Sequence, residues 1–260
     1  MGRPPIKPFK ICDDIYWVGV NSAAPSHLIV TDCGLALIDT ATVDTQDELL
    51  ANISSLGFDV RDVRHIIHSH AHFDHVGSTN RIVELSGAKT YGGFGDADSF
   101  CGKNKILWAM REPPENEDEF YFVPDVLIHD GDKIKFGNIE MRFLETPGHT
   151  SGVISMLWNA HHNGVEYTAG MFGGAGHNSL TDEYLDLYSL PYSLRNDYVR
   201  SIDRLLLENV DIHIGNHPEN NSHVDKASRK TEDYNPFVAE KTWRPFLEKQ
   251  KNALIEKYGL

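Results

Sequence analysis

Histidine and aspartate side chains are concentrated in one short segment of this 260-residue chain. Residues 70–75 read HAHFDH and come just after an apolar run, which predicts a loop at the end of a buried strand. Imidazole nitrogens and carboxylate oxygens are ligands that zinc accepts at about 2.0–2.2 Å. We therefore interpret the segment as a metal-binding loop. His70 and His72 can share one ion, while Asp74 and His75 project to a different side and can serve a second.

Two further histidines stand in turns that follow predicted strands. His149 lies in the turn PGHT after a predicted strand at 139–144, and His217 lies in the turn NHP after a predicted strand at 212–215. With these residues the candidate ligands are five histidines and one aspartate. That set is large enough for two zinc ions that each keep a coordination position open for water, which is typical of a catalytic zinc site.

The hydrophobic pattern predicts the elements that must position these side chains. Strands followed by helices, twice over, predict two sheets packed together with helices outside, in an α/β or α+β fold. An Asn-Gly pair at 163–164 predicts a tight hairpin. Strands are predicted at 15–20, 27–30, 35–38, 63–68, 89–92, 134–136, 139–144, 153–157, 165–169 and 212–215, and helices at about 49–56 with Asp44 as N-cap, 76–86, 96–102, 198–206 and 237–258.

Composition restricts the partners of the chain. Lys and Arg number 24 against 38 Asp and Glu, so the formal net charge is −14, and no basic block is present. This charge argues against nucleic acid or an anionic membrane as the main partner. No stretch approaches the roughly 20 apolar residues of a membrane span. We expect a small-molecule substrate, and the sequence does not predict an oligomeric state.

Cysteine usage and the N-terminus bear on the compartment and on the domain organisation. Cys12, Cys33 and Cys101 are too few and too widely spaced for a disulfide framework or a thiolate zinc site. No signal-peptide pattern is visible, so the sequence as written predicts a cytoplasmic protein; the alternative is a periplasmic or secreted protein whose signal was removed. Without a linker, repeat or low-complexity tract, we expect one domain over residues 1–260.

The metal-binding motifs resemble those of a known family. The HAHFDH segment matches the H-x-H-x-D-H signature of the metallo-β-lactamase superfamily, and the turns at His149 and His217 match its next two ligand motifs. Residues 37–40, LIDT, resemble the early strand of the family, whose aspartate (here Asp39) lies behind the metals. The resemblance runs from about residue 15 to 258. It implies an α+β fold, the four-layer αβ/βα sandwich.

One departure from the common pattern narrows the resemblance. Many hydrolases of the superfamily, including glyoxalase II and the acyl-homoserine lactonases, place a metal-bridging aspartate where this chain has Met171. A thioether cannot replace a bridging carboxylate on zinc. The third subclass of metallo-β-lactamases also lacks that bridge, and residues 69–75 and 235–237 are similar to its motifs. By this resemblance two Zn²⁺ ions bind per chain, the first held by His70, His72 and His149 and the second by Asp74, His75 and His217.

The resemblance implies hydrolysis by a zinc-bound hydroxide. Zinc lowers the pKa of bound water from 15.7 to about 7. Asp74 would orient this nucleophile and take its proton, and Asp39 would fix the tautomer of a ligand histidine. The expected substrate is a β-lactam-type cyclic amide. Another small ester, lactone or thioester is the alternative, because residues 171–174 offer no Ser or Lys for a substrate carboxylate. A non-catalytic metal-binding or sensor protein is a third alternative.

Four residues are candidates for contact with the substrate. His177 and Asn178 follow a glycine-rich stretch, and Asn220 and Asn221 follow the turn that contains His217. Each has an amide or an imidazole that can hydrogen-bond to a ligand in a cleft. The alternative for all four is a polar surface loop without a role in binding.

Overall fold

Two β-sheets carry the strand ends from which the metal-binding loops extend. The computed structural model describes residues 7–20 and 26–260. The first sheet is antiparallel at one side and parallel at the other. Its seven strands lie in chain order: β1 (Phe9–Lys10), β2 (Ile15–Trp17), β3 (His27–Thr31), β4 (Gly34–Ile38), β5 (Val63–Ile67), β6 (Lys89–Gly93) and β7 (Val126–Ile128).

The second sheet has five strands in the order β12–β11–β10–β9–β8, and its only parallel pair among the described strands is β11 with β12. Asn163 and Gly164 both have positive φ, at 52° and 75°, and join β10 to β11, which confirms the predicted hairpin. The strands are β8 (Lys133–Phe136), β9 (Ile139–Glu145), β10 (Ile154–His162), β11 (Val165–Met171) and β12 (Ile212–Ile214).

Helices cover the outer face of both sheets. Within the described residues, none is long and apolar enough to cross a membrane. The helices are α1 (Gln46–Ser55), α2 (Phe73–Val76), α3 (Thr79–Ser86), α4 (Ala97–Phe100), α5 (Asp182–Leu187), α6 (Leu194–Leu205), α7 (His223–Arg229), α8 (Pro236–Ala239) and α9 (Trp243–Tyr258).

Three apolar clusters hold these layers together. The central cluster joins the inner faces of the two sheets and includes Trp17, Phe143 and Trp158, all buried. A second cluster packs α1 and α3 on the first sheet, and a third packs α6 and α9 on the second sheet. The order of layers is therefore helix, sheet, sheet, helix, which confirms the α+β four-layer αβ/βα sandwich. Burial of each large side chain contributes about 1.5–3 kcal/mol.

Several predicted helix boundaries were wrong. The helix predicted at 237–258 is two helices, since the backbone leaves the helical conformation at Glu240 before α9 begins. The helix predicted at 76–86 is α3, which begins only at Thr79, and the short helix α2 precedes it. Asp44 is not an N-cap: it lies inside a 3-10 turn, and α1 begins at Gln46. The pattern also missed β7, α5 and α7, which are short and lack a clear period.

Candidate metal centre

The six predicted ligand side chains lie in two groups at the ends of β5, β9 and β12. In each group the potential ligand atoms all lie within 4.8 Å of one another. The strand ends bring them together because the loop after β5, the turn after β9 and the turn after β12 meet at one edge of the two sheets. The first group is His70, His72 and His149, and the second group is Asp74, His75 and His217.

The three rings of the first group are buried and face one another. Ring centroids are 4.7 Å apart for His70 and His72, 4.7 Å for His70 and His149, and 4.8 Å for His72 and His149. Nε2 of His149 lies 3.1 Å from Nδ1 of His72. All three side chains are at most 5% exposed. The geometry therefore places three imidazoles around one small space that solvent barely reaches.

Hydrogen bonds at the outer nitrogens determine which ring nitrogen faces that space. Nδ1 of His70 donates to the Gly173 carbonyl over 2.9 Å, and Nδ1 of His149 donates to the Gly176 carbonyl over 3.1 Å. Because a carbonyl oxygen only accepts, these contacts leave Nε2 of both rings without hydrogen. Nε2 of His72 lies 3.0 Å from the Tyr184 hydroxyl. Nδ1 of His72 is consequently the atom turned toward the group.

The second group contains a carboxylate and is more open to solvent. Oδ2 of Asp74 lies 4.0 Å from Nε2 of His75 and 4.0 Å from Nε2 of His217. The side chains of Asp74 and His217 are 21% and 30% exposed, whereas His75 is buried. A ligand that enters from solvent therefore reaches the second group through Asp74 and His217.

Asp39 lies directly behind His75. Its Oδ2 accepts a hydrogen bond from Nδ1 of His75 over 2.8 Å, and its Oδ1 accepts one from the Ser69 backbone N–H over 2.8 Å. The residue is fully buried and has a left-handed backbone conformation, with φ of 57°. Such strain in a residue other than glycine is typical of functional sites. The contact orients the His75 ring with Nδ1 toward Asp39 and Nε2 toward Asp74.

The protonation of the histidines differs between the two groups. Burial, and then the other histidines nearby, hold the pKa of His70 and His72 well below the usual range. Burial lowers the pKa of His149 to about 4. For His75, burial alone would lower the pKa, but the carboxylates of Asp39 and Asp74 outweigh it and the pKa is raised. The first group therefore presents neutral imidazoles with free lone pairs at pH 7, which is the form that binds metal.

These residues fit a pair of metal ions. Nε2 of His70 and Nε2 of His75 are buried and have no hydrogen-bond partner. A buried polar atom without a partner is costly, by about 1–3 kcal/mol. A cation in each group would satisfy both atoms, the first at His70 and the second at His75. Imidazole and carboxylate donors in groups of three are the ligand sets of catalytic zinc sites.

Asp96 connects the two loops that carry the first group, and the sequence did not identify it. Its buried carboxylate accepts hydrogen bonds from the Ala71 N–H at 2.9 Å, the Thr150 hydroxyl at 2.7 Å and the Gly152 N–H at 2.7 Å. Burial outweighs these bonds and raises the pKa of Asp96. A single aspartate after β6 has no pattern that could have revealed this role.

Two of the four substrate-contact candidates lie near the first group. The ring of His177 is half-buried and packs edge-on against Tyr198, with centroids 5.3 Å apart. Asn178 begins a 3-10 turn at Asn178–Leu180. Both Asn178 and His149 approach Gly176, since a Cβ atom added to this glycine would lie 3.2 Å from Oδ1 of Asn178 and 3.6 Å from Cε1 of the His149 ring. Asn178 is exposed and lies in the same loop as Gly176, which approaches the His149 ring, while His177 packs on helix α6.

The other two candidates differ from each other in burial. Nδ2 of Asn220 donates to Oδ1 of Asn216 over 2.6 Å, and this pair lies in the turn that carries His217. Asn221 is 3% exposed, and its Oδ1 accepts from Nζ of Lys226 over 2.7 Å. Its Nδ2 donates to the His213 carbonyl. The amide of Asn221 is thus engaged inside the protein, and only Asn220 remains available to a ligand at the opening.

Solved structures of similar shape cover nearly the whole chain. The native FEZ-1 metallo-β-lactamase from Legionella gormanii is 27% identical, with a TM-score of 0.82 over 99% of this chain and 97% of that one. The metallo-β-lactamase GOB-18 from Elizabethkingia meningoseptica is 27% identical, with a TM-score of 0.82 over 98% and 93%. BJP-1, a subclass B3 metallo-β-lactamase of Bradyrhizobium japonicum, is 24% identical with a TM-score of 0.83 over 99% and 96%, a likeness of fold.

Curated relatives match a shorter part. A hydroxyacylglutathione hydrolase from Rhodospirillum rubrum is 29% identical over 156 residues, which are 58% of this chain and 49% of that protein. A probable metallo-hydrolase from Methanocaldococcus jannaschii is 27% identical over 122 residues, 47% of this chain and 45% of that protein. The chain thus spans about half the length of these relatives. The family model of the metallo-β-lactamase superfamily matches residues 21–162. The chain belongs to the metallo-β-lactamase superfamily.

Proposed function

We propose that the protein is a dizinc hydrolase that opens the ring of a β-lactam-type cyclic amide. The observation that carries this proposal is the division of six ligands into two separate groups of three, with His217 completing the second group. Among the described residues, neither group shares a carboxylate with the other. The full-length likeness to the FEZ-1 and GOB-18 enzymes, at 27% identity, supports the same conclusion.

The surroundings of Met171 support the proposed subclass. Met171 ends β11 and pairs with Met156 on one side and Ile214 on the other. Its side chain is fully buried in the cluster between the sheets. This strand therefore contributes no carboxylate to bridge the two groups, in agreement with an arrangement of three ligands for each ion.

The side chains of the centre have separable tasks in such a hydrolysis. When bound, the zinc ions supply acidified water and a Lewis acid for the carbonyl oxygen. Asp74, which is partly exposed, can accept the proton of an incoming water at its carboxylate. Asp39 holds His75, and Asp96 holds the loops of His70 and His149 in register, so that little reorganisation is needed during the reaction.

A thioester or ester hydrolase is the second candidate. It is favoured by the similarity to hydroxyacylglutathione hydrolases, which the R. rubrum protein represents at 29% identity. It is also favoured by residues 171–174, which offer no hydroxyl or ammonium group for a substrate carboxylate. A non-catalytic metal sensor is less well supported, because an open second group next to solvent is typical of catalysis.

Metal content and turnover of two substrates test the proposal. The purified protein is loaded with zinc, its zinc is counted, and a chromogenic cephalosporin and an acyl-glutathione thioester are compared. We expect two zinc ions per chain and faster opening of the cephalosporin. Thioester cleavage without cephalosporin opening would favour the second candidate, and zinc binding without either activity would favour the sensor. A protein that binds no zinc would contradict the proposal.

A further inference from the structure

The outer nitrogens of the first-group histidines have two kinds of partner. For His70 and His149 the partners are backbone carbonyls of the loop after β11, at Gly173 and Gly176, each accompanied by a serine hydroxyl. For His72 the partner is the hydroxyl of Tyr184 in α5, at 3.0 Å. Tyr184 is 112 residues from His72 in the chain. Helix α5 thus reaches the centre through one side chain.

Tyr184 is rigidly placed. Its side chain is 2% exposed, and its ring packs against that of Tyr188 with centroids 4.7 Å apart. Its backbone N–H donates to the Thr181 hydroxyl over 3.2 Å, which caps the start of α5. Within the part of the chain that the structure describes, the Tyr184 hydroxyl hydrogen-bonds to His72 and to no other group. Because packing fixes the ring of Tyr184 and its hydroxyl makes this single contact, the hydroxyl can orient the His72 ring.

The difference between a carbonyl and a phenol matters at this position. His149 donates from Nδ1, so its Nε2 is a lone pair, and it lies 3.1 Å from Nδ1 of His72. Without metal, His72 satisfies this contact when Nδ1 carries the hydrogen and Nε2 accepts from the Tyr184 hydroxyl. With metal, Nδ1 must present its lone pair, and Nε2 must carry the hydrogen. A carbonyl supports only the second form, whereas a hydroxyl donates or accepts and supports both.

We propose that Tyr184 is a positioning residue for His72, which holds the ring in place in both tautomers and so allows the first group to load. This inference rests on the proposed function only in assuming that the first group binds metal. Groups of this kind, which orient a ligand from behind, typically change metal affinity by about 10- to 100-fold when removed.

Zinc affinity of two matched variants tests the inference. Tyr184→Phe removes the hydroxyl beside His72, whereas Tyr188→Phe removes a hydroxyl that accepts from the Met110 N–H over 2.8 Å. In competition with a chromophoric chelator, we expect Tyr184→Phe to weaken one of the two zinc-binding steps by about 10- to 100-fold. Tyr188→Phe should stay within about twofold of the parent by the same measure, since it does not touch a ligand. The visible spectrum of the cobalt-loaded Tyr184→Phe protein should change as well.

Two further measurements separate positioning from general packing and from failure of the proposed function. In a His72→Ala background, Tyr184→Phe should cause no additional loss of affinity, because the coupling acts through His72. In the metal-free protein, the ¹⁵N shifts of the His72 ring should show a changed tautomer equilibrium in Tyr184→Phe. Unchanged ring shifts, or an equal loss of affinity in the His72→Ala background, would overturn the inference. If no form of the protein binds zinc, the proposed function fails, and the ring shifts alone decide the role of Tyr184.

Discussion

In the part of the chain that the structure describes, buried histidines lie together in two places, and the candidate metal centre is one of them. The second, which we term the inner histidine cluster, contains His27, His213 and His223. The centroids of His27 and His223 are 5.4 Å apart, close to the 5.1 Å between His75 and His217 in the metal centre. Burial lowers the pKa of all three histidines of the inner cluster, as it does in the first ligand group. By residue type, burial and spacing, the two places are alike.

The partners of the rings distinguish the two places. In the centre one nitrogen of each buried ring is held by a hydrogen bond, and the other faces further ligands. In the inner cluster both ring nitrogens of His27 and His223 lack a hydrogen-bond partner, and the ring of His223 packs against Trp17 and Phe237. His213 differs, since its Nδ1 lies 3.3 Å from the Thr242 hydroxyl. The buried ammonium of Lys226 lies nearby and lowers the pKa of His223 further. The candidate metal centre therefore differs from the inner cluster in the hydrogen bonds that orient its rings and in the carboxylates of Asp39 and Asp74, and not in the burial of its histidines.

The largest effect that this comparison predicts is on metal content. His70→Ala removes one of three ligands from the first group, so we expect the zinc content to fall from two ions per chain toward one. Hydrolysis should fall by roughly 100-fold or more, since a bound metal supplies several kcal/mol of transition-state stabilisation. Elemental analysis after gel filtration and initial rates with the chromogenic substrate measure both quantities.

The matched control for His70→Ala comes from the inner cluster. His27→Phe replaces an equally buried ring with an aromatic ring that cannot bind metal. We expect it to retain both zinc ions and most of the activity. Loss of zinc from His27→Phe at an unchanged melting temperature would show that the inner cluster also binds metal, and the distinction between the two places would be wrong.

We expect an effect of intermediate size on zinc affinity when Asp39 is changed. Its carboxylate orients a ligand histidine of the metal centre, and the inner cluster has no corresponding group. Asp39→Asn replaces one of the two accepting oxygens with an NH2 donor, so the side chain can no longer accept at both of the positions that serve Ser69 and His75. We expect one zinc-binding step to weaken by about 10- to 100-fold. The free energy of unfolding should fall by about 1–3 kcal/mol, because buried donors lose a charged acceptor.

Chelator competition and urea unfolding measure these two effects of Asp39→Asn, and Asp44→Asn serves as the control. Asp44 lies five positions along the chain on an exposed turn, so both quantities should remain at the parental values. Equal zinc affinity in Asp39→Asn and the parent protein would contradict a role for the carboxylate in orienting His75.

The sequence was sufficient to predict the two sheets and the six side chains that meet at their edge. Strands such as β9 and β10 have strong apolar patterns, and the HAHFDH segment is dense enough to stand out from ordinary histidines. The inner cluster shows that a group of buried histidines need not be visible in the sequence. His27 and His223 lie 196 positions apart and have ordinary neighbours in the sequence.

Apart from Asp39, the residues behind the ligands could not be predicted, for a physical reason. Asp96 bonds to Ala71 across 25 positions, and Tyr184 bonds to His72 across 112 positions. Neither stands in a repeated or periodic pattern, because each acts through one contact that only the packed fold creates. The break between α8 and α9 was missed because the apolar residues keep their helical spacing across it, although the backbone there is not helical.

The smallest effect concerns the pH dependence of stability, and it tests the inner cluster directly. Burial, with Lys226 nearby, lowers the pKa of His223 from its usual 6.5 to about 3. A group with a lowered pKa in the folded state stabilises the protein fully above pH 6.5, and this stabilisation is lost as the pH falls toward 3. At pH 5.5 this histidine has already gained a proton in the unfolded state, which lowers the free energy of unfolding by about 1 kcal/mol. Urea unfolding of the metal-free parent and of His223→Phe, at pH 7.5 and 5.5, isolates this contribution because the ligand histidines contribute equally to both. Between pH 7.5 and 5.5 we expect the free energy of unfolding to fall by about 1 kcal/mol less in His223→Phe than in the parent protein. An equal fall in the two proteins would mean that His223 is charged in the folded state. The inner cluster would then need an anionic partner, as the metal centre has in Asp39.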